Sequence, residues 1–159
     1  MTVRRAEPGE LEAAGAVVAA AYAADGAAHD DYLVEIADAR SRARDAEVLV
    51  AVSGGEVLGC VTFAVPPSPW AEISAPGEAE FRMLGVSPSA RGRGVGEALV
   101  MACLAAAREA GAHRLVLCTQ ASMTAAHRLY GRLGFIRDAA RDWSPVPGID
   151  LLGYTLDLT

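Results

Sequence analysis

The sequence predicts an α/β fold on one mixed sheet, and two observations carry the prediction. Apolar residues recur at helical spacing in four stretches, with strand-like alternation or short buried runs between them. No internal repeat, low-complexity linker or charge block divides the 159 residues, so a single domain over 1–159 is expected.

Val3, Arg4 and Arg5 begin a short first strand. Pro8 opens a helix that carries Leu11, Gly15 and Val18, runs to about residue 22–24 and stops at Asp25-Gly26. A second helix is predicted over 30–44, with Leu33, Ile36 and Ala37 as its apolar stripe and Arg40 to Arg44 as its charged face. The period then drops to two. Strands over 47–52 and 57–65 are joined by the turn Ser53-Gly54-Gly55-Glu56. Pro66, Pro67, Pro69 and Pro76, with Trp70 among them, make the next segment a loop, because proline cannot donate to a sheet ladder.

A strand over 78–86 ends at Ser87-Pro88, and a nearly continuous apolar helix follows from Val95 to Ala110, with Gly111 as its left-handed cap. Residues 115–119 read as a buried strand. The last helix starts near Ser122, carries Ala126, Leu129, Tyr130 and Leu133 on one face, and ends at Gly134. Strands over 135–140 and 151–158 close the sheet around a loop at 142–148. The order is β-α-α-β-β-β-α-β-α-β-β.

Composition narrows the function. Hydrophobic residues make up 52%, yet 33 of them are alanine, which supplies little area per residue. All 14 basic residues are arginine. Without lysine there is no Walker A phosphate loop, no Schiff-base lysine and no pyridoxal-phosphate anchor. A net charge of −6 and a pI near 5.0 argue against a nucleic-acid-coating protein. The uncharged run from Ala13 to Ala24 is far shorter than the ~20 residues a membrane span needs, and Glu7, Glu10 and Glu12 spoil a signal peptide. A cytoplasmic protein is expected, as a monomer or homodimer. Cys60, Cys103 and Cys118 are widely spaced among apolar residues and read as core, and His29, His113 and His127 show no metal-ligand spacing, so no metal is expected. No Gly-x-Ser-x-Gly elbow is present.

The densest signal is Arg91-Gly92-Arg93-Gly94-Val95-Gly96, between a strand and a helix. Backbone N–H groups can approach a bulky anion there, and the helix dipole adds partial positive charge. The dinucleotide fingerprint fails, because the positions for its third glycine hold Glu97 and Leu99. What remains is Arg-x-x-Gly-x-Gly.

With these residues the sequence resembles the GCN5-related N-acetyltransferase (GNAT) superfamily, whose pyrophosphate motif is Gln/Arg-x-x-Gly-x-Gly/Ala. Leu84-Gly85-Val86-Ser87-Pro88 matches the family's preceding strand, Leu-x-Val-x-Pro, and Leu129-Tyr130-Gly131-Arg132-Leu133-Gly134-Phe135 matches its later Leu-Tyr-x-x-x-Gly-Phe. The resemblance is strongest from Glu80 to Arg137. It implies a single mixed, largely antiparallel sheet with a splayed central strand pair and helices on both faces.

The resemblance implies acetyl-CoA as co-substrate and transfer of its acetyl group to a primary amine, on a small molecule or a peptide, by direct attack. A bulge at Gly85 would splay its strand, the backbone of Leu84 and Val86 would meet the pantetheine amides, and Gly92, Gly94, Val95 and Gly96, with Arg91 or Arg93, would hold the pyrophosphate. Tyr130 would protonate the departing thiolate, and Glu80, with Glu78 second, would take the amine's proton. Many family members carry Asn seven positions before the tyrosine. Here that residue is Met123, and Gln120, Ser122 or Thr124 is left to supply its contact. The acceptor is expected between residues 22–32 and 142–147, with Trp70 and Trp143 as an aromatic wall and Asp25, Asp30 or Asp31 attracting a cation. The alternative is an acyl-CoA-binding sensor or interaction module of the same fold without turnover.

Overall fold

The computed structural model describes residues 1–26 and 29–158. In chain order the elements are β1 (Thr2–Arg5), α1 (Leu11–Ala24), α2 (Asp30–Ala37), α3 (Ala39–Ala43), β2 (Glu47–Ser53), β3 (Glu56–Ala64), β4 (Glu78–Val86), α4 (Val95–Glu109), β5 (Arg114–Gln120), α5 (Thr124–Arg132), β6 (Ile136–Arg137), β7 (Trp143–Val146) and β8 (Ile149–Asp157). One sheet takes the order β1-β2-β3-β4-β5-β8-β6, with β7 also on β8. Every pairing is antiparallel except β4 with β5.

The two-residue period of β2 divides the core. Val48, Val50 and Val52 pack with Ala14, Val18 and Ile36 under the first three helices. Leu49 and Ala51 pack on the opposite face with Leu99, Cys103 and Tyr130 of α4 and α5. Both layers are therefore specified by a single strand that is apolar on both sides.

The expected splay is present. β4 pairs with β5 only from Glu78↔Arg114 to Phe81↔Leu117, and beyond Phe81 it bonds to β3 alone. The bulge that turns β4 away lies at Met83 and not, as expected, at Gly85. Met83 has φ of +53°, and the register on β3 jumps from Thr62↔Arg82 to Cys60↔Gly85. Gly85 is instead the close backbone approach that a glycine inside an apolar strand also signals. A Cβ there would sit 2.8 Å from the Cα of Val18, so its missing side chain lets α1 lie directly on the strand.

Four further expectations are corrected. The helix predicted over 30–44 is two helices, broken at Asp38, whose carboxylate caps α3 by accepting from Ser41 N. Arg42, read from sequence as part of a charged face, is fully buried. Its guanidinium donates to the Glu35, Ile36 and Asp38 carbonyls and to Thr62 Oγ1, closing the end of α2. The strand predicted over 135–140 shrinks to Ile136–Arg137 before a 3₁₀ turn, and the loop predicted at 142–148 contains β7. Pro145 is tolerated there because β7 is an edge strand. Among the described residues no helix is long and apolar enough to cross a membrane, and no cluster of His, Cys, Asp or Glu could hold a metal ion.

Candidate active site

The loop after β4 is shaped by two glycines in the left-handed region, Gly92 with φ of +76° and Gly94 with φ of +77°. Gly94 is the N-cap of α4, and its carbonyl accepts from Ala98 N to start the helix. Among the described residues the amides of Gly92 to Glu97 donate to no protein acceptor, so a row of N–H groups surrounds the positive end of a fifteen-residue helix. Such a cradle fits a pyrophosphate. Arg91 does not extend freely from it. Its guanidinium forms a two-point pair with Asp25 at the end of α1, at 2.9 and 3.2 Å.

From this cradle a cleft of about 290 Å³ runs along the unpaired edge of β4, lined by Leu84, Gly85 and Val86 on one side and by Met123, Ala126 and Leu129 on the other. Ser87 N donates to Leu58 O, toward β3. Antiparallel alternation therefore turns the backbone groups of Val86, and of Leu84 two residues earlier, into the cleft, where β5 no longer reaches them. This is an open strand edge of the kind that takes up an extended amide chain. Met123 lines the cleft at the family's Asn position, while Gln120, Ser122 and Thr124 do not, so an apolar thioether stands where an amide was expected.

On the α1 face of the splay lies a second, narrow pocket, lined by Tyr22, Tyr32, Glu80, Arg82, Gln120 and Trp143, with Met83, Cys118, Thr119 and Leu151. Glu80 is 1% exposed. Its Oε1 accepts from Ile73 N, Ser74 N and Ser74 Oγ at 2.9–3.0 Å, which leaves Oε2 without a protein partner among the described residues. Burial raises its pKa above the ordinary carboxylate value and outweighs those neutral hydrogen bonds. Glu78, two residues earlier on the same face, behaves oppositely. Burial pushes its pKa up, but hydrogen bonds from Arg141, the Ala75 amide and Arg114 reverse the effect and hold it at about 2. That pairing makes Glu78 a structural anion and not a proton acceptor.

Tyr130 is buried with its ring against Phe81, Phe135 and Tyr154, at centroid distances of 5.8, 5.9 and 6.1 Å. Its neighbour Leu129 lines the cleft, whereas Tyr130 lines neither cavity. Burial raises its pKa, so the phenol keeps its proton.

Of the residues expected near the acceptor, Tyr22, Tyr32 and Trp143 line the pocket. Trp70 stands one layer out, under the Arg82 guanidinium at 5.8 Å. Asp25 is taken up by Arg91, and Asp30 and Asp31 are exposed outside the pocket lining. Residues 27 and 28 of that expected wall lie outside the described residues. Arg82 and Gln120 were missed as pocket residues. A signal for Arg82 existed in its two-residue spacing from Glu80, but placing Gln120 needs the register of three strands.

Residues 16–135 match the model of the acetyltransferase (GNAT) family. A mycothiol acetyltransferase of Cellulomonas flavigena is 37% identical over 121 residues, which cover 70% of this chain and 35% of that protein. The chain thus spans about a third of the length of this curated relative, and about a quarter, 27%, of a second mycothiol acetyltransferase, from Pseudarthrobacter chlorophenolicus. Among solved structures, the ribosomal-protein-alanine N-acetyltransferase of Brucella melitensis superposes with a TM-score of 0.75 at 25% identity, over 99% of this chain and 100% of that one. The Salmonella typhimurium protein yncA, solved with its cofactor acetyl-CoA, gives 0.75 at 24% identity, over 100% and 94%.

Proposed function

The chain belongs to the acetyltransferase (GNAT) family, and we propose that it moves an acetyl group from acetyl-CoA to a primary amine on a small-molecule or peptide acceptor. One observation carries this reading. The anion cradle at Gly92–Gly96 opens on a cleft along the edge of β4 that β5 leaves free after Phe81, and the buried carboxylate of Glu80 stands just before that splay, in the neighbouring pocket.

Acetyl-CoA supplies an activated acyl group on sulfur. The transfer forms a C–N bond and breaks the C–S bond. The α4 amides neutralise the pyrophosphate charge, and Leu84 and Val86 align the pantetheine arm as an added strand would be aligned. Glu80 accepts the amine's proton at Oε2, directly or through one water; its raised pKa brings it nearer the operating pH, where a general base is most effective. Tyr130 serves the departing thiolate. The phenol keeps its proton at neutral pH, so it can donate a hydrogen bond to the developing thiolate; with an ordinary pKa near 10 against about 8.5 for a thiol, full transfer of the proton runs uphill.

The test is calorimetry with acetyl-CoA followed by thiol release with a panel of amines. Binding in the micromolar to millimolar range, lost in Gly94→Val, and thiol release that depends on the amine are expected. Absence of binding overturns the proposal outright. Binding without turnover on any amine turns it into the sensor reading.

A further inference from the structure

We propose that Ser74 is a positioning residue for the transfer: with the amides beside it, its hydroxyl holds Oε1 of Glu80, so that Oε2 alone is left to take the acceptor's proton. The inference rests on the acetyl-transfer reading with Glu80 as proton acceptor, and it names what aims that carboxylate.

The starting point is the path of the chain before β4. From Trp70 to Ala75 the segment runs back over the strand that follows it, and its contacts follow β4 in reverse order. Trp70 lies under the Arg82 guanidinium at 5.8 Å, and Glu72 pairs with that guanidinium at 3.3 Å. Ile73 N, Ser74 N and Ser74 Oγ donate to Glu80 Oε1 at 3.0, 3.0 and 2.9 Å, and Ala75 N donates to Glu78 Oε1 at 2.8 Å. The two-residue period of the strand puts Glu78, Glu80 and Arg82 on one face, so one short strap meets all three. Arg141 fastens the strap to the same strand, donating to Ile73 O at 3.1 Å and to both oxygens of Glu78.

The two carboxylates are held differently. Both oxygens of Glu78 are occupied, Oε1 by Ala75 N and Arg141 and Oε2 by Arg141 and Arg114. In Glu80 all three donors converge on Oε1, and among the described residues Oε2 has none. A carboxylate 1% exposed and serving structure alone should meet donors at both oxygens, as Glu78 does. The one-sided set suits a proton acceptor. Backbone amides can only donate, so the proton is kept off Oε1, and three bonds to one oxygen fix the side chain and leave Oε2 to the pocket that Glu80 lines. Successive amides converging on one anion form a backbone nest, and the Ser74 hydroxyl is the one member that a side-chain substitution removes.

The charges around Glu80 are otherwise settled. Burial raises the pKa values of Tyr22, Tyr32 and Cys118, which share its pocket, and keeps them neutral. Among the described residues Arg82 is the one fixed charge in that lining, and it is turned to Glu72, while Glu78 is compensated by Arg141 and Arg114. Deleting the hydroxyl therefore removes a hydrogen bond made to the ionised carboxylate and favours the protonated form.

The experiment uses Ser74→Ala, which deletes the hydroxyl and keeps the amide, and Ser74→Thr, which keeps both. In thiol-release assays at saturating acetyl-CoA and amine, the acidic limb of kcat should move to higher pH by about one unit in Ser74→Ala and stay near the wild-type position in Ser74→Thr. A readout independent of turnover follows the Glu80 carboxyl carbon by NMR in protein labelled with carbon-13 glutamate, its signal identified by its loss in Glu80→Gln. Its titration midpoint should rise in Ser74→Ala by the same amount as the limb. A merely structural anchor would lower the melting temperature of Ser74→Ala and move neither readout. A midpoint unchanged in Ser74→Ala, or raised equally in both variants, overturns the inference and leaves acetyl transfer standing. A midpoint that rises while the limb stays also overturns it, because Glu80 then titrates apart from the reaction. If no amine releases thiol but the midpoint rises in Ser74→Ala alone, acetyl transfer falls and the hold of Ser74 on the Glu80 carboxylate stands.

Discussion

The two halves of β4 belong to one strand and meet opposite surroundings. From Glu78 to Phe81 the strand is bonded on both edges, and its acidic residue at the start is locked by two arginines, with Arg141 contributing contacts at 2.8 and 2.7 Å and Arg114 one at 3.1 Å. From Met83 to Val86 it is bonded on one edge, carries a backbone strain point at Met83, and presents free peptide groups to a cleft. The change happens across two residues. The same contrast separates Glu78 from Glu80, since fixed arginines stabilise a carboxylate's charge and burial among neutral donors does not. A sheet can thus hold a carboxylate locked as an anion and one of raised pKa side by side by varying only what each carboxylate meets.

The contrast can be broken at either carboxylate. The largest effect is expected from Glu80→Gln, which should lower kcat/KM by about 10³-fold, within the range of a lost general base. In the wild type, activity should fall as pH drops through the raised pKa of Glu80, because only the carboxylate accepts a proton. The variant should lack that acidic limb. It should also melt no lower than the wild type at neutral pH, because a carboxyl whose folded pKa is raised destabilises the fold when ionised. A lowered melting temperature would place Glu80 with Glu78 as structural.

Glu78→Gln comes next, with a loss of roughly 3 kcal/mol in denaturant unfolding, since it removes the nearly buried charge that Arg141 and Arg114 share. Held at about 2 against an ordinary 4.5, Glu78 contributes stability that is complete above pH 4.5 and is lost as pH falls toward 2. The wild type should show that slope and the variant should not. Tyr130→Phe is the smallest, about 10²-fold in kcat with acetyl-CoA affinity unchanged, measured by single-turnover thiol release. Wild-type turnover in that variant would limit Tyr130 to its place in the aromatic cluster.

The elements that carry the site were legible because their signals are local. The hairpin of β2 and β3, the strand to Val86, the glycine loop and the helix from Val95 follow from period and turn chemistry within a few residues. What escaped depends on contacts across the fold. Arg42 looks like surface charge until the ends of α2 and α3 supply carbonyls for it. β7 is masked by Pro145 and is a strand only because β8 lies beside it. Gln120 looked like a stand-in for a missing Asn, and only the register through Leu151 moves it to the other pocket, next to Trp143.

Gly85 carries a consequence for the size of what the protein can accept. With 2.8 Å from a notional Cβ to the Val18 backbone, α1 rests on β4 with no adjustable side chain between them. One helical turn further along the same helix, Tyr22 forms a wall of the narrow pocket. A methyl group at position 85 would act as a shim, lifting the helix and widening a pocket more than a turn away. The bore of that narrow pocket is therefore gauged by a single hydrogen atom, at a residue that lines the opposite cavity.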